Sequence, residues 1–173
     1  MFRSIQADQI LFQQVLSFTG LLLLALVEAG LGQAALFYGS APKLVFCVLF
    51  VLGVRFPKAT PILPVMVVGL VFDLSQNNPI GLTSSQYLIV LIFCQIRHMV
   101  LVEAEANSVW SEFVVMMFMM MAYVVVVFIL YTGAWPPFRE MIFQIGLTIL
   151  IFPTVNWVFD LYKNISFYFG NSK

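Results

Sequence analysis

The sequence predicts an all-α integral membrane protein: a compact bundle of about six transmembrane helices, with both termini cytoplasmic. Three observations carry that reading. Phe113 to Tyr131 runs for nineteen residues without a charge, a glycine or a proline. At about 1.5 Å per residue a helix of that length covers roughly 28 Å, close to the hydrocarbon thickness of a bilayer, and it has no polar face to offer water. Apolar residues make up 62% of the chain and charged residues only 9%, with a mean hydropathy of +1.00. Uncharged runs alternate with short clusters of glycine, proline and charge along all 173 residues. No stretch is polar enough to fold separately in water, so residues 1–173 form a single polytopic membrane domain.

The segments follow from the apolar runs and their breakers. The first covers about Val15 to Ala35. Met1 to Gln14 carries Arg3 and Asp8, and the run behind it is too long for a signal-peptide core and has no evident cleavage site, so it is expected to remain as a signal anchor. The second segment, about Leu44 to Val54, follows the Gly39-Ser40-Ala41-Pro42 break. The third, about Pro61 to Phe72, is opened by Pro57, Pro61 and Pro64. Both are too short to cross about 30 Å at a right angle. If they form one bent hairpin, the spans number five. The fourth segment covers about Ile80 to Ile96, the fifth Val109 to Leu130 and the sixth Met141 to Leu161, which Pro153 should kink.

The basic residues orient the bundle. With six spans and an internal N-terminus, Arg3, Arg55, Lys58, Arg97, Lys163 and Lys173 lie inside, against Lys43 and Arg139 outside; six against two is the positive-inside bias. Trp110 at one end of the fifth segment, with Tyr131 and Trp135 at the other, fit interfacial aromatic belts. The formal net charge is zero, which gives no reason to expect nucleic-acid binding.

Few residues offer chemistry. Glu28 is the one carboxylate well inside an apolar run; burying it demands a partner or a water-filled cavity. It borders the strip Ala25, Ala29 and Gly32, small residues that let another helix approach closely. A packing or partner contact is the favoured role, ahead of proton coupling. Asp73 ends the third segment, where a helix C-terminus disfavours negative charge. It is expected to accept hydrogen bonds from the start of the fourth, where Asn78 reads as N-cap, Pro79 as a first-turn residue and Gly81 as a point of close approach. His98 and Glu103 and Glu105 read as a solvated loop in which the glutamates pair with Arg97. Met116, Met117, Met119, Met120 and Met121 read as adaptable packing on a lipid-facing helix rather than a copper site. Cys47 and Cys94 read as small buried hydrophobes. Asn156 and Asp160, at i and i+4, share a face directed at a neighbouring helix. No nucleotide-binding loop, zinc motif or hydrolase elbow is present. No catalytic residue, cofactor or metal is expected.

Pro64-Val-Met-Val-Val-Gly69-Leu-Val-Phe-Asp73, followed by Asn78-Pro79-Ile-Gly81-Leu82, resembles the rod shape-determining protein MreD family of bacteria. That family pairs an apolar segment ending in Gly-Leu-x-x-Asp with a polar turn and a Pro-x-Gly-Leu helix start. The size, the five to six spans and the basic Arg97 closing the fourth segment fit as well. The motif covers about twenty residues and the layout most of the chain; Glu28 and the methionine patch have no counterpart in it. The resemblance implies a non-enzymatic inner-membrane scaffold that binds MreC within the cell-elongation machinery, alongside MreB, RodA and penicillin-binding protein 2. Pro64, Gly69, Asp73, Pro79 and Gly81 would be its structural motif. The alternative is a substrate-binding membrane subunit of an energy-coupling-factor vitamin transporter. Such subunits are also small bundles of about six spans, and contact their partner through strips such as Ala25-Leu-Val-Glu-Ala29. A transporter subunit should bring several polar side chains together near the outer face. The sequence offers Glu28, Asp73, Gln76, Asn77 and Asn78 for that, the last three reading as a turn.

Overall fold

The structure, a computed structural model, describes residues 2–33, 41–56, 60–76, 78–103 and 106–170. Expectations resting on Gly39, Ser40, Pro57, Lys58, Asn77, Glu105 or Lys173 lie outside the described residues. The described residues form six helices and no strand: α1 (Phe2–Gln33), α2 (Leu44–Arg55), α3 (Ile62–Gln76), α4 (Leu82–Glu103), α5 (Ala106–Thr132) and α6 (Phe138–Gly170). Three of them are long and apolar enough to cross a membrane, through Gln14–Leu31 of α1, Ser108–Thr132 of α5 and Phe138–Leu161 of α6.

The architecture is organised around its shortest helix. α2 has 12 residues, about 18 Å of length. It packs against α1, α4 and α6, while α3 packs on α1 and α4, and α5 on α4 and α6. Eight of its residues, Val45 to Cys47, Leu49 to Val51, Gly53 and Val54, are buried. A helix apolar on every side belongs inside a bundle, and α2 sits there. Its C-terminus is set by proline chemistry: Phe56 precedes Pro57, which disfavours helical backbone, and Phe56 leaves the helix with φ −133° and ψ 60°.

Aromatic side chains fill the centre. The Phe50 ring meets Phe113 edge-on at 5.3 Å, Phe152 edge-on at 5.7 Å and Phe93 at 6.5 Å, so one residue of α2 joins α4, α5 and α6. Phe113 and Phe152 stack at 3.9 Å. Cys47 and Cys94 are buried and unpaired with each other. The methionines of α5 do not simply face lipid: Met116, Met117 and Met120 are buried, whereas Met119 is 54% exposed. Positions i, i+1 and i+4 make a helical seam turned to the protein.

Two close approaches draw the backbones together. A Cβ added to Gly53 would lie 2.9 Å from Cys94 Cβ, and one added to Gly69 would lie 2.6 Å from Ser84 Cα and 2.8 Å from Ser84 N. α3 and α4 therefore touch main chain to main chain, and Ser84 Oγ seals the contact by donating to the Met66 carbonyl at 2.9 Å. Pro64, the third residue of α3, sits in the first turn where its missing N–H has no intrahelical partner to lose. α6 continues as one helix through Pro153.

The fourth segment departs from expectation at both ends. It starts at Leu82, not Ile80, and continues to Glu103. Pro79 to Leu82 is a turn closed by the Leu82 N–H to the Pro79 carbonyl at 3.1 Å, with Gly81 at φ +95°. That left-handed backbone cannot continue a helix, so Asn78 is not its N-cap and Pro79 is not in its first turn. His98 belongs to α4 rather than to a solvated loop.

The Gly69 contact leads to a clear expectation. Gly69→Val should lower the melting temperature of the purified protein in detergent by an amount equivalent to about 1–3 kcal/mol, the usual cost of overpacking. Gly20→Ala, where an added Cβ meets nothing within 4 Å, should leave it unchanged. Equal melting temperatures for the two variants would dispose of the close-approach argument.

Candidate functional site

The ends of α2 abut neighbouring helices, which supply partners for its terminal backbone groups. A helix leaves its first N–H and last C=O groups without intrahelical partners. At the N-terminal end, the Glu28 carboxylate reaches across from α1 and accepts the Val45 N–H at 2.9 Å. Negative charge there also complements the helix dipole. The Lys43 N–H donates to Thr148 Oγ1 of α6 at 3.0 Å, Thr148 in turn donates to the Gln144 carbonyl at 2.7 Å, and Gln144 Nε2 donates to the Ala41 carbonyl at 2.9 Å. Glu28 thus acts as a cap on another helix. Ala25 and Ala29 are buried beside it, as close helix packing requires, and Gly32 falls in the last turn of α1.

The opposite end of α2 is held with the reverse polarity. Arg55 donates to Asp160 at 2.5 Å and to Asn156 at 2.8 Å, so the two α6 residues spaced one turn apart grip one guanidinium. His98 Nδ1–H donates to the Val54 carbonyl at 2.5 Å. Basic groups at a helix C-terminus are favoured by its dipole. Arg97 pairs with Glu112 of α5, a partner that the sequence reading did not name. The reason is geometric: α4 runs on past Arg97, which carries that side chain alongside α5 instead of into a loop.

A second capping arrangement joins α3 to α4. Asp73 is 0% exposed and its carboxylate accepts the Gly81 N–H at 2.9 Å and the Thr83 N–H at 3.0 and 3.1 Å. The Asn78 N–H returns to the Asp73 carbonyl at 3.1 Å. An aspartate at the end of one helix therefore caps the start of the next, with Gly81 supplying the turn and Gly69 the proximity. Pro79, in this turn, lines a cavity.

That cavity, of about 310 Å³, opens where the C-terminal ends of α1 and α3 meet the N-terminal ends of α2, α4 and α6. Glu28, Lys43, Gln76, Gln86 and Gln144 supply its polar lining, and α5 supplies an apolar wall that includes Met117, Met120 and Met121. The Lys43 ammonium stands 5.2 Å from the centre of the Phe46 ring, a cation–π distance, and interacts electrostatically with both Glu28 and Asp73. Gln76 Nε2 donates to the Ala29 carbonyl at 3.3 Å. Among the described residues three buried polar atoms have no protein partner, Gln86 Oε1, the Tyr87 hydroxyl and Arg97 Nε, and of these Gln86 lines the cavity. Sequence reasoning named Glu28, Gln76 and Asn78 but missed Lys43, Gln86 and Gln144. Lys43 carried a signal, as a cation adjoining an apolar run; the two glutamines carried none that separates them from ordinary helix residues. No group of three metal-ligating side chains occurs among the described residues.

The capping roles separate two substitutions at each carboxylate. Asp73→Ala strands the Gly81 and Thr83 N–H groups, each at about 1–3 kcal/mol, and should sharply reduce the folded protein recovered from membranes. Glu28→Gln keeps an acceptor for Val45 and should melt close to the unaltered protein, whereas Glu28→Ala should melt well below it. Indistinguishable melting of Glu28→Gln and Glu28→Ala would show that the cap is unimportant.

No protein-family model, curated protein or solved structure matches the chain.

Proposed function

We propose that this chain is a non-enzymatic, multi-pass scaffold of the bacterial inner membrane that binds MreC. In that role it links MreB, RodA and penicillin-binding protein 2 in the peptidoglycan-synthesising elongation machinery that maintains rod shape. The single observation behind the reading is the α3–α4 junction. The residues of the MreD-like motif, Gly69, Asp73 and Gly81, work there as one unit of close approach, cap and turn. A sequence signature with a shared mechanical role is harder to meet by chance than the letters alone. In this reading all six helices cross or enter the bilayer and both termini are cytoplasmic. The positive-inside count supports that orientation, as do Arg55 and Arg97 at one end of the bundle and Lys43 at the other. The short α2 and α3 gain their place from protein packing rather than from length.

A second reading has one specific observation in its favour. The cavity gathers Glu28, Lys43, Gln76, Gln86 and Gln144 at the end of the bundle assigned to the outside, which is the convergence of polar side chains asked of a transporter's substrate-binding subunit.

Affinity purification of the tagged full-length chain from gently solubilised bacterial membranes separates the two. MreC and the elongation enzymes should co-purify, and Asp73→Ala should reduce their recovery at least in proportion to the folded protein. Paired ATPases with a coupling membrane subunit, and no MreC, would replace the scaffold reading with the transporter one.

A further inference from the structure

We infer that the cavity at the α2 N-terminus is a binding site for a small zwitterionic amphiphile, a molecule with an ammonium group, an anionic group and a short apolar body. The inference goes beyond the scaffold reading and does not rest on it.

Four features of the site lead there. Its volume of about 310 Å³ falls at the lower bound of small-molecule sites. Gln86 is 2% exposed, lines the cavity and leaves its Oε1 without a partner. Buried acceptors in native proteins are nearly always satisfied, so a donor arriving in the cavity accounts for this one. The lining charges are one of each sign. The ion pairs among the described residues are Arg55–Asp160 and Arg97–Glu112, so Glu28 and Lys43 face the cavity without a direct ion-pair partner. Asp73 is not part of the lining and accepts the Gly81 and Thr83 N–H groups through both carboxylate oxygens, whereas Glu28 lines the cavity and accepts the Val45 N–H through Oε2. A ligand ammonium can therefore be met by Glu28 and Gln86, and an anionic group by Lys43. The remaining wall is apolar and deformable, formed by Met117, Met120, Met121, Val124 and Phe128. Methionine adapts its shape to the body it contacts.

Two sources supply such chemistry: the head of an ethanolamine phospholipid from the bilayer, and a free zwitterion from the aqueous side, such as an apolar amino acid. The test is native mass spectrometry of the full chain in mild detergent. It is titrated with dihexanoyl phosphatidylethanolamine, with L-phenylalanine, and with dihexanoyl phosphatidylglycerol, which has the same acyl chains and no ammonium. A saturable one-to-one adduct with either zwitterion is expected, with the glycerol lipid at least tenfold weaker. Glu28→Gln should weaken the adduct by about tenfold, the effect of losing one charge-assisted contact. Gln86→Met should weaken it too while raising the melting temperature, because it removes an unsatisfied buried acceptor at nearly constant volume. That combination separates lost binding from lost folding. Adducts with the ethanolamine lipid alone assign the site to bilayer lipid, and adducts with phenylalanine alone to a soluble solute; both support the inference. No saturable adduct with either zwitterion, equal binding of the glycerol lipid, or adducts unchanged in both variants would overturn it. Loss of MreC in the co-purification, by contrast, would leave it standing.

Discussion

The fold depends on keeping a short helix inside the bundle with each of its ends tied to neighbouring helices. A helix of 12 residues reaches only about 18 Å, well short of the roughly 30 Å of a bilayer's hydrocarbon. Each end leaves polar backbone groups in protein, and each unsatisfied group costs about 1–3 kcal/mol. Neighbouring helices answer that cost. Glu28 and Thr148 serve one end, and His98 and the Arg55–Asp160–Asn156 cluster the other. α1, α4 and α6 are thereby fixed in register to α2 by directional bonds. Between those ends the contacts are apolar and centred on Phe50.

α3 and α4 solve the same problem at shorter range. Asp73 caps the following helix rather than its own, which turns a residue unfavourable at a helix C-terminus into a charge-assisted tie between α3 and α4. Glu28 and Asp73 each arise near the end of one helix and bind the beginning of another, and both act at the same end of the molecule. The cavity lies between these two caps. It exists because capping groups occupy the helix ends while α5, which packs on α4 and α6, closes the side with flexible methionines. A scaffold and a ligand-binding protein are compatible uses of one such frame.

Much of this was legible in the sequence, and the pattern of what was not has a physical origin. Apolar runs and breakers placed all six helices, because charge and proline are excluded from such interiors for reasons that act locally. Asp73 was legible because its expected donors lie within ten residues, and Asn156 and Asp160 because one helical turn puts them on a face. The centrality of α2 was not, since a helix apolar all round shows no direction of burial, and the same absence hid which methionines of α5 point inward. His98, Lys43 and Glu112 were misjudged or overlooked for another reason. Charged and polar residues near segment ends resemble solvated loop residues until the distant helix they touch is known. The start of α4 was misplaced because Asn-Pro resembles a cap and first turn, while Gly81 at φ +95° imposes a separate turn before the helix begins.

The Arg55 clamp also has a meaning in time. Arg55 and Asp160 are separated by 105 residues of chain, so at ordinary synthesis rates of about 5–20 residues per second Arg55 emerges roughly 5–20 s before its acceptor. For a chain that crosses a membrane, α2 is throughout that interval too short to span the lipid, and Arg55 is without its α6 acceptor. On that reading the α2–α3 region waits at the insertion machinery or the water interface until α6 arrives. Burial of α2 is then a late event in biogenesis, and arrival of the last helix is what commits the chain to its final arrangement.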